Sequence, residues 1–130
     1  MPEVNILSGK DTVQSIYNNL KPRILSLKKQ GVIPGLCVVL VGDNPASKIY
    51  VRTKTKKLKS LGLISESILL QEDVDQEKLI KVIDDLNKDT KYHGILVQLP
   101  LPRHINSQKV INADINIIAK ALDAPKLICW

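Results

Sequence analysis

Phenylalanine is absent from the 130 residues, tryptophan occurs once and tyrosine three times, so aromatic side chains make up only 3% of the chain. A core must then be filled by leucine, isoleucine and valine, which favours an aliphatic α/β interior over a β-sandwich. Cysteine is nearly as scarce. Cys37 sits inside an apolar run and Cys129 near the end, with neither the number nor the spacing of a disulfide framework or a metal site, so both read as reduced thiols. His93 and His104 are separated by an apolar strand-like segment and form no metal constellation, so no metal is expected. The start Met1-Pro2-Glu3-Val4-Asn5-Ile6-Leu7 has no basic leader followed by a long apolar stretch, and no run approaches the length of a membrane span. The expectation is a soluble cytoplasmic protein without a membrane partner. A phosphate-cradling P-loop and a Gly-x-Gly-x-x-Gly fingerprint are both missing, so no nucleotide-binding motif is visible.

What is present fits one domain: 44% of the residues are hydrophobic, enough for a core that folds alone. The formal net charge of +6 admits nucleic acid, a membrane surface or an anionic metabolite as partner and cannot choose among them. From Lys10 to Gln30, Val13, Ile16, Tyr17, Leu20, Ile24 and Leu27 recur at helical spacing, with Ser8 or Asp11 as caps and Pro22 expected to kink or restart the helix. Leu36 to Val41 is a continuous apolar run, as a strand covered on both faces requires. The turn Gly42-Asp43-Asn44-Pro45 leads into a helix from Ala46 to Leu61 with Gly62 as its stop. Ile64 to Leu70 reads as a second strand. Asp75 opens a helix with Leu79, Val82, Ile83 and Leu86 on its buried face, and Ile95 to Leu99 reads as a third strand closed by Pro100 and Pro102. Strands alternating with helices predict a parallel sheet with helices on both faces.

In such sheets ligands collect beyond the carboxyl ends of the strands. Two polar features fall there: the helix after Asn44, and Gln98 at the end of the third strand. Lys48, Arg52, Lys56, Lys57 and Lys59 read as a solvated basic face. Lys54 differs, because with residues about 100° apart it falls inside the stripe formed by Tyr50, Val51, Leu58 and Leu61. A lysine among apolar neighbours loses solvation of its charged form, which suits an amine that must move a proton near neutral pH. Tyr50, one turn earlier, is either a rim residue covering the core or a flat ring that stacks on a substrate. Gln98 is either satisfied by backbone at the strand end or aimed into the pocket.

Three segments together resemble one family. Val41-Gly42-Asp43-Asn44-Pro45-Ala46-Ser47-Lys48-Ile49-Tyr50-Val51-Arg52-Thr53-Lys54 is similar to the substrate-binding helix of the bifunctional methylenetetrahydrofolate dehydrogenase/methenyltetrahydrofolate cyclohydrolases, with its Tyr-x-x-x-Lys pair. His93-Gly94-Ile95-Leu96-Val97-Gln98-Leu99-Pro100-Leu101-Pro102 resembles the family's second signature strand, and Leu7-Ser8-Gly9-Lys10 with Pro34-Gly35-Leu36 agrees at the expected places. The resemblance spans Val4 to Ala113. It implies a three-layer α/β sandwich with a mostly parallel sheet, of the type found at the N-terminus of amino-acid-dehydrogenase-like and folate dehydrogenase enzymes. It also implies a cytoplasmic homodimer that oxidises methylenetetrahydrofolate with NADP, or NAD in some members, and hydrolyses the methenyl product to formyltetrahydrofolate. By the same resemblance Lys54 is the catalytic lysine, Tyr50 stacks on the folate and Gln98 assists Lys54. Val51, Arg52 and Thr53 join them in binding substrate, and Val97 and Leu99 offer backbone contacts.

The family continues into a Lys-Asp-Val-Asp-Gly block, whose aspartate grips the pterin, and then into a dinucleotide domain. Here the chain reads Asp114-Ile115-Asn116-Ile117-Ile118 and on to Trp130, and neither Asp114 nor Asp123 has the flanking residues of that block. The expectation is therefore a folate-binding catalytic domain over residues 1–113 and a tail over 114–130 left by an altered reading frame, with no NADP-binding residues. Gene sequence downstream that encodes no Asp-Val-Asp-Gly in any frame would refute the frame change. Two other functions compete. One is a folate-binding or dimerising module without turnover. The other is a nucleic-acid binder using the basic helix, which ranks last because interleaved aromatics and recognition motifs are lacking. The folate's anionic glutamate tail is a better match for those lysines than nucleic acid.

Overall fold

A computed structural model describes residue 6, residues 8–118 and residues 127–129 of the chain. Two compact units divide it, one over residues 1–33 and one over residues 34–130. The first is built on α1 (Gly9–Lys29), a single helix of 21 residues that continues through Pro22 instead of restarting there. Ser8 is its N-cap and accepts the Lys10 N–H on its side chain. Gly31, at φ 81, stops the helix in the left-handed region that glycine enters without strain.

The second unit contains β1 (Gly35–Val41), α2 (Pro45–Ser60), β2 (Ile64–Leu70), α3 (Gln76–Lys88), β3 (Gly94–Val97), α4 (Ser107–Ile118) and β4 (Leu127–Cys129). Its four strands pair in parallel in the order β2-β1-β3-β4, the α/β architecture expected of alternating strands and helices. The sequence reading missed α4 and β4, and β3 ends at Val97, before Gln98 and Leu99.

Side-chain parity divides the core between the two faces of the sheet. Cys37, Val39, Val41, Ile95 and Val97 face α3 and α4, where Leu79, Ile83, Leu86 and Val110 close over them. Val38, Leu40 and Leu96 face α2 and its Val51. Strand β1, paired on both edges and covered on both faces, is therefore apolar throughout, whereas edge strand β2 alternates Ser65, Ser67 and Leu69 with Ile64, Ile68 and Leu70. Of the helix face expected on α3, Leu79, Ile83 and Leu86 are buried and Val82 is half-buried.

The amino ends of the strands are tied together by specific polar contacts. Gly35 N–H donates to His93 Nδ1 at 3.1 Å, and the His93 N–H returns a bond to the Gly35 carbonyl at 2.8 Å. A Cβ on Gly35 would lie 2.3 Å from the Lys91 carbonyl oxygen, so only glycine fits there. Beside it, the Glu66 carboxylate accepts from Lys91 Nζ and from the Tyr92 hydroxyl. Those two donors hold Glu66 below the usual carboxylate range, Lys91 first and Tyr92 second. The bond to Glu66, and then burial, push the Tyr92 hydroxyl up. These contacts are structural and sit at the end of the sheet opposite the polar groups described next. His104, whose Nε2 meets the Val74 carbonyl at 2.8 Å, is likewise structural.

Candidate functional site

Helix α2 leaves β1 on one face of the sheet, while the chain beyond β3 passes to α4 on the other face. The carboxyl ends of these adjacent strands therefore open a crevice between diverging connections, the place where parallel sheets take ligands. Asn44 sets the start of α2: its side chain accepts the Ser47 N–H at 3.1 Å, and Pro45 begins the helix where no N–H is needed. Asp43, on the same turn, pairs with Lys48.

From that start, Tyr50 and Lys54 fall one turn apart on the flank of α2 nearer β3. Lys54 is half-buried, and its Nζ donates to Gln98 Oε1 at 3.2 Å. Gln98 is only 7% exposed, and its backbone N–H extends the ladder to the Val39 carbonyl at 3.0 Å. Its side-chain amide nitrogen donates to the Leu99 carbonyl at 3.2 Å. An ammonium can only donate, so the amide oxygen must face Lys54 and the amide nitrogen must find an acceptor elsewhere. The backbone reading of Gln98 holds on one side, and on the other its amide oxygen faces Lys54. The Leu99 carbonyl as the group that orients Gln98 escaped the sequence reading. Its signal was the Leu-Pro-Leu-Pro segment, where Pro100 and Pro102 lack the N–H that would continue the ladder.

The other expected site residues are distributed around this pair. Tyr50 is 61% exposed, a ring presented to solvent next to Lys54. Arg52 and Thr53 are exposed. Val51 is 5% exposed and its side chain belongs to the core cluster under α2. Val97 is fully buried at the end of β3, and Leu99 is half-buried beyond it. The arrangement presents a cation held by an amide, beside an exposed aromatic ring, in a crevice at the carboxyl end of the sheet. Such a set can stack a flat heterocycle, polarise a group on it and exchange a proton with it.

The basic residues of α2 mostly lie elsewhere. Lys48, Arg52, Lys56 and Lys59 line an open groove of about 560 Å³ on the flank facing β2. On the helix they fall roughly 160–240° from Tyr50, against about 40° for Lys54, so α2 separates them from the Lys54–Gln98 pair. No group of three His, Cys, Asp or Glu side chains able to hold a metal occurs among the described residues. No described helix is long and apolar enough to cross a membrane.

Comparison with known proteins gives a consistent result. Residues 7–117 match the family described as tetrahydrofolate dehydrogenase/cyclohydrolase, catalytic domain. The chain is 50% identical over 109 residues to the bifunctional protein FolD of Anaplasma marginale, covering 83% of this chain and 36% of that protein. It is 51% identical over 108 residues to FolD of Listeria innocua, covering 83% and 38%. Among solved structures, the FolD methylenetetrahydrofolate dehydrogenase/cyclohydrolase of Campylobacter jejuni superposes with a TM-score of 0.81 at 41% identity, over 84% of this chain and 39% of that one. The Trypanosoma brucei enzyme, solved with NADP cofactor and inhibitor, gives a TM-score of 0.81 at 26% identity, over 98% and 48%. The chain thus spans under two-fifths of the length of those curated relatives.

Proposed function

Because the chain belongs to the tetrahydrofolate dehydrogenase/cyclohydrolase family, we propose that its crevice binds a tetrahydrofolate one-carbon derivative. In this reading Tyr50 stacks on the pterin and Lys54, held by Gln98, acts on the one-carbon bridge. The observation that carries the proposal is the 3.2 Å bond from Lys54 Nζ to Gln98 Oε1 at the carboxyl end of β3. It fixes the ammonium beside an exposed ring and leaves its other N–H groups to face a ligand.

The reaction these residues support is hydrolysis of the methenyl bridge to 10-formyltetrahydrofolate. Water adds to the electron-poor bridge carbon, its oxygen gives up both protons to become the formyl oxygen, one ring nitrogen gains a proton as its bond to that carbon breaks, and one proton leaves to solvent. Lys54 lies where one group can assist both transfers, and Gln98 keeps it there. Val51 contributes by seating α2 on the sheet, Thr53 by its place on the exposed side of α2, and Val97 and Leu99 through their backbone, while Arg52 lies on the flank facing β2 and takes no part.

The oxidation of 5,10-methylenetetrahydrofolate attributed to the whole family needs NADP or NAD. The turn from β1 into α2, Gly42-Asp43-Asn44-Pro45, has one glycine, an acidic side chain and a proline at the first helical position. Such a turn does not fit a pyrophosphate, which needs several glycines and open N–H groups. That observation favours a second reading, a folate-binding module over residues 1–113 that forms homodimers without turnover.

Absorbance-monitored hydrolysis of methenyltetrahydrofolate separates the two. Catalysis by the wild-type chain that falls by about 10²-fold or more in Lys54→Met, with folate still bound, is the expected result. Equal rates in both proteins would remove Lys54 from the chemistry.

A further inference from the structure

The groove on the β2 side of α2 has no part in the proposed hydrolysis. Its walls carry Lys48, Arg52, Lys56 and Lys59, with no acidic side chain among the lining residues, and its floor is Leu40, Val51 and Leu69. Lys48 is paired with Asp43 at the upper end. Leu69 is 65% exposed, an apolar side chain held open beside four cations.

The floor is also a sheet edge. Strand β2 is terminal in the order β2-β1-β3-β4. The Ile64 N–H bonds to the Pro34 carbonyl and the Leu70 carbonyl accepts the Gly42 N–H, so the even-numbered residues of β2 point their backbone groups toward β1. By parity, the N–H and C=O groups of Ser65, Ser67 and Leu69 point outward. No strand among the described residues pairs with that side. The side chains of Ser67 and Leu69 line the same groove.

Two spacings then coincide. Cations at positions 48, 52 and 56 are each four residues apart on a helix, a rise of about 6 Å per step. In an extended chain, side chains on one side recur every 6.6–6.8 Å or about that distance. We propose that the groove is a docking site for an extended acidic peptide, with a glutamate or aspartate at every second position, that adds to the β2 edge through its backbone. Its acidic side chains would meet Arg52 and Lys56 in turn above Leu69, with Lys59 beside them, while the residues between point to the other face of the sheet. A second copy of the chain is a poorer occupant, because the net charge of +6 and two basic grooves would oppose each other. A compact polyanion is poorer as well, since the cations extend over about 16 Å of helix and a small ion reaches only adjacent ones.

The test is a fluorescence-anisotropy titration of the full chain with a labelled eight-residue peptide alternating glutamate and valine. A peptide of identical composition with its glutamates in one block, and inorganic triphosphate, serve as comparisons. The alternating peptide should bind more tightly than the block peptide and protect the Ser65, Ser67 and Leu69 amides from hydrogen exchange. Lys56→Glu with Lys59→Glu should weaken it by about tenfold or more. Ser67→Pro, which removes an outward N–H and leaves the ladder to β1 intact, should weaken it without a charge change. Retained thermal unfolding verifies that each variant folds. Equal binding of the two peptides, binding indifferent to Ser67→Pro, or saturable triphosphate binding without peptide binding would each overturn the proposal. So would a chain dimer in sedimentation that Ser67→Pro dissolves.

Discussion

At the scale of single residues, the same side-chain type takes different roles according to what surrounds it. Lys54 is one of six basic residues on α2 between Lys48 and Lys59, and it is the one whose ammonium meets a buried amide. Helical phase sets Lys54 apart from Lys48, Arg52, Lys56 and Lys59, because 40° and roughly 200° on a wheel separate a crevice from a solvated flank, whereas Lys57, about 20° from Tyr50 on its other side, is not separated by phase. The acceptor was only half legible: Gln98 stood out as the polar residue in an apolar strand, but its partner at the Leu99 carbonyl depends on a chain path that no periodicity encodes. Cys37 gives a prediction at this scale. Burial in the sheet, followed by the charges of Glu66 and Asp89, pushes its thiol up to about 11, so almost no thiolate exists at pH 8. Peptide mapping after brief alkylation of the folded chain at that pH should find Cys37 unmodified, and modification should appear once denaturant is added. Rapid labelling of Cys37 in the folded chain would contradict the burial.

Among the elements, β1 was the easiest to read, since an apolar run with no alternation has few alternatives to a strand buried on both faces. Strand β2 was also read with its observed bounds, Ile64–Leu70, because its alternation and the Gly62 stop bracket it. Helix α4 and strand β4 were missed for a physical reason. Asn106-Ser107-Gln108-Lys109 carries turn-forming and polar residues, and its helix shows in sequence only through the short apolar set that includes Val110 and Ile111. Tertiary contact with α3 decides it instead: Val110 is fully buried in the same cluster as Leu79 and Ile83. Of the two outcomes expected at Pro22, a restart is excluded, since α1 continues through it. The entry into β1 offers a direct check on the packing. Gly35→Ala would drive a Cβ to 2.3 Å from the Lys91 carbonyl oxygen, a clash with backbone that cannot rotate away. The expected loss is about 1–3 kcal/mol in urea unfolding, and an unchanged midpoint would mean that the β1–β3 entry is looser than described.

For the molecule as a whole, the sheet has a structural end and an end proposed to take ligand. The amino end holds Gly35, Glu66, Lys91, Tyr92 and His93, and the carboxyl end presents Tyr50, Lys54 and Gln98. The structural end predicts how stability depends on pH. Glu66 is depressed in the folded chain, so its contribution is present above the unfolded carboxylate value of about 4.3 and is lost as pH falls through the lower folded value. Tyr92 and Cys37 are raised, so theirs is present below the unfolded values and lost as pH climbs through the folded ones, beginning near pH 9 for Cys37. Urea midpoints should therefore be flat between about pH 5 and 8 and fall on both sides, with a shallower acid limb in Glu66→Gln. An acid limb unaffected by that substitution would assign the loss to other carboxylates.

The carboxyl end carries the central claim, that this chain holds a folate pocket built from Tyr50, Lys54 and Gln98. Calorimetric titration of the purified chain with a tetrahydrofolate analogue, repeated with Tyr50→Ala and Lys54→Ala and with NADP as a second titrant, tests it most directly. The account predicts saturable folate binding that both substitutions weaken, and no heat from NADP. A chain that unfolds cooperatively yet takes up no folate, or one whose affinity ignores both substitutions, would contradict it.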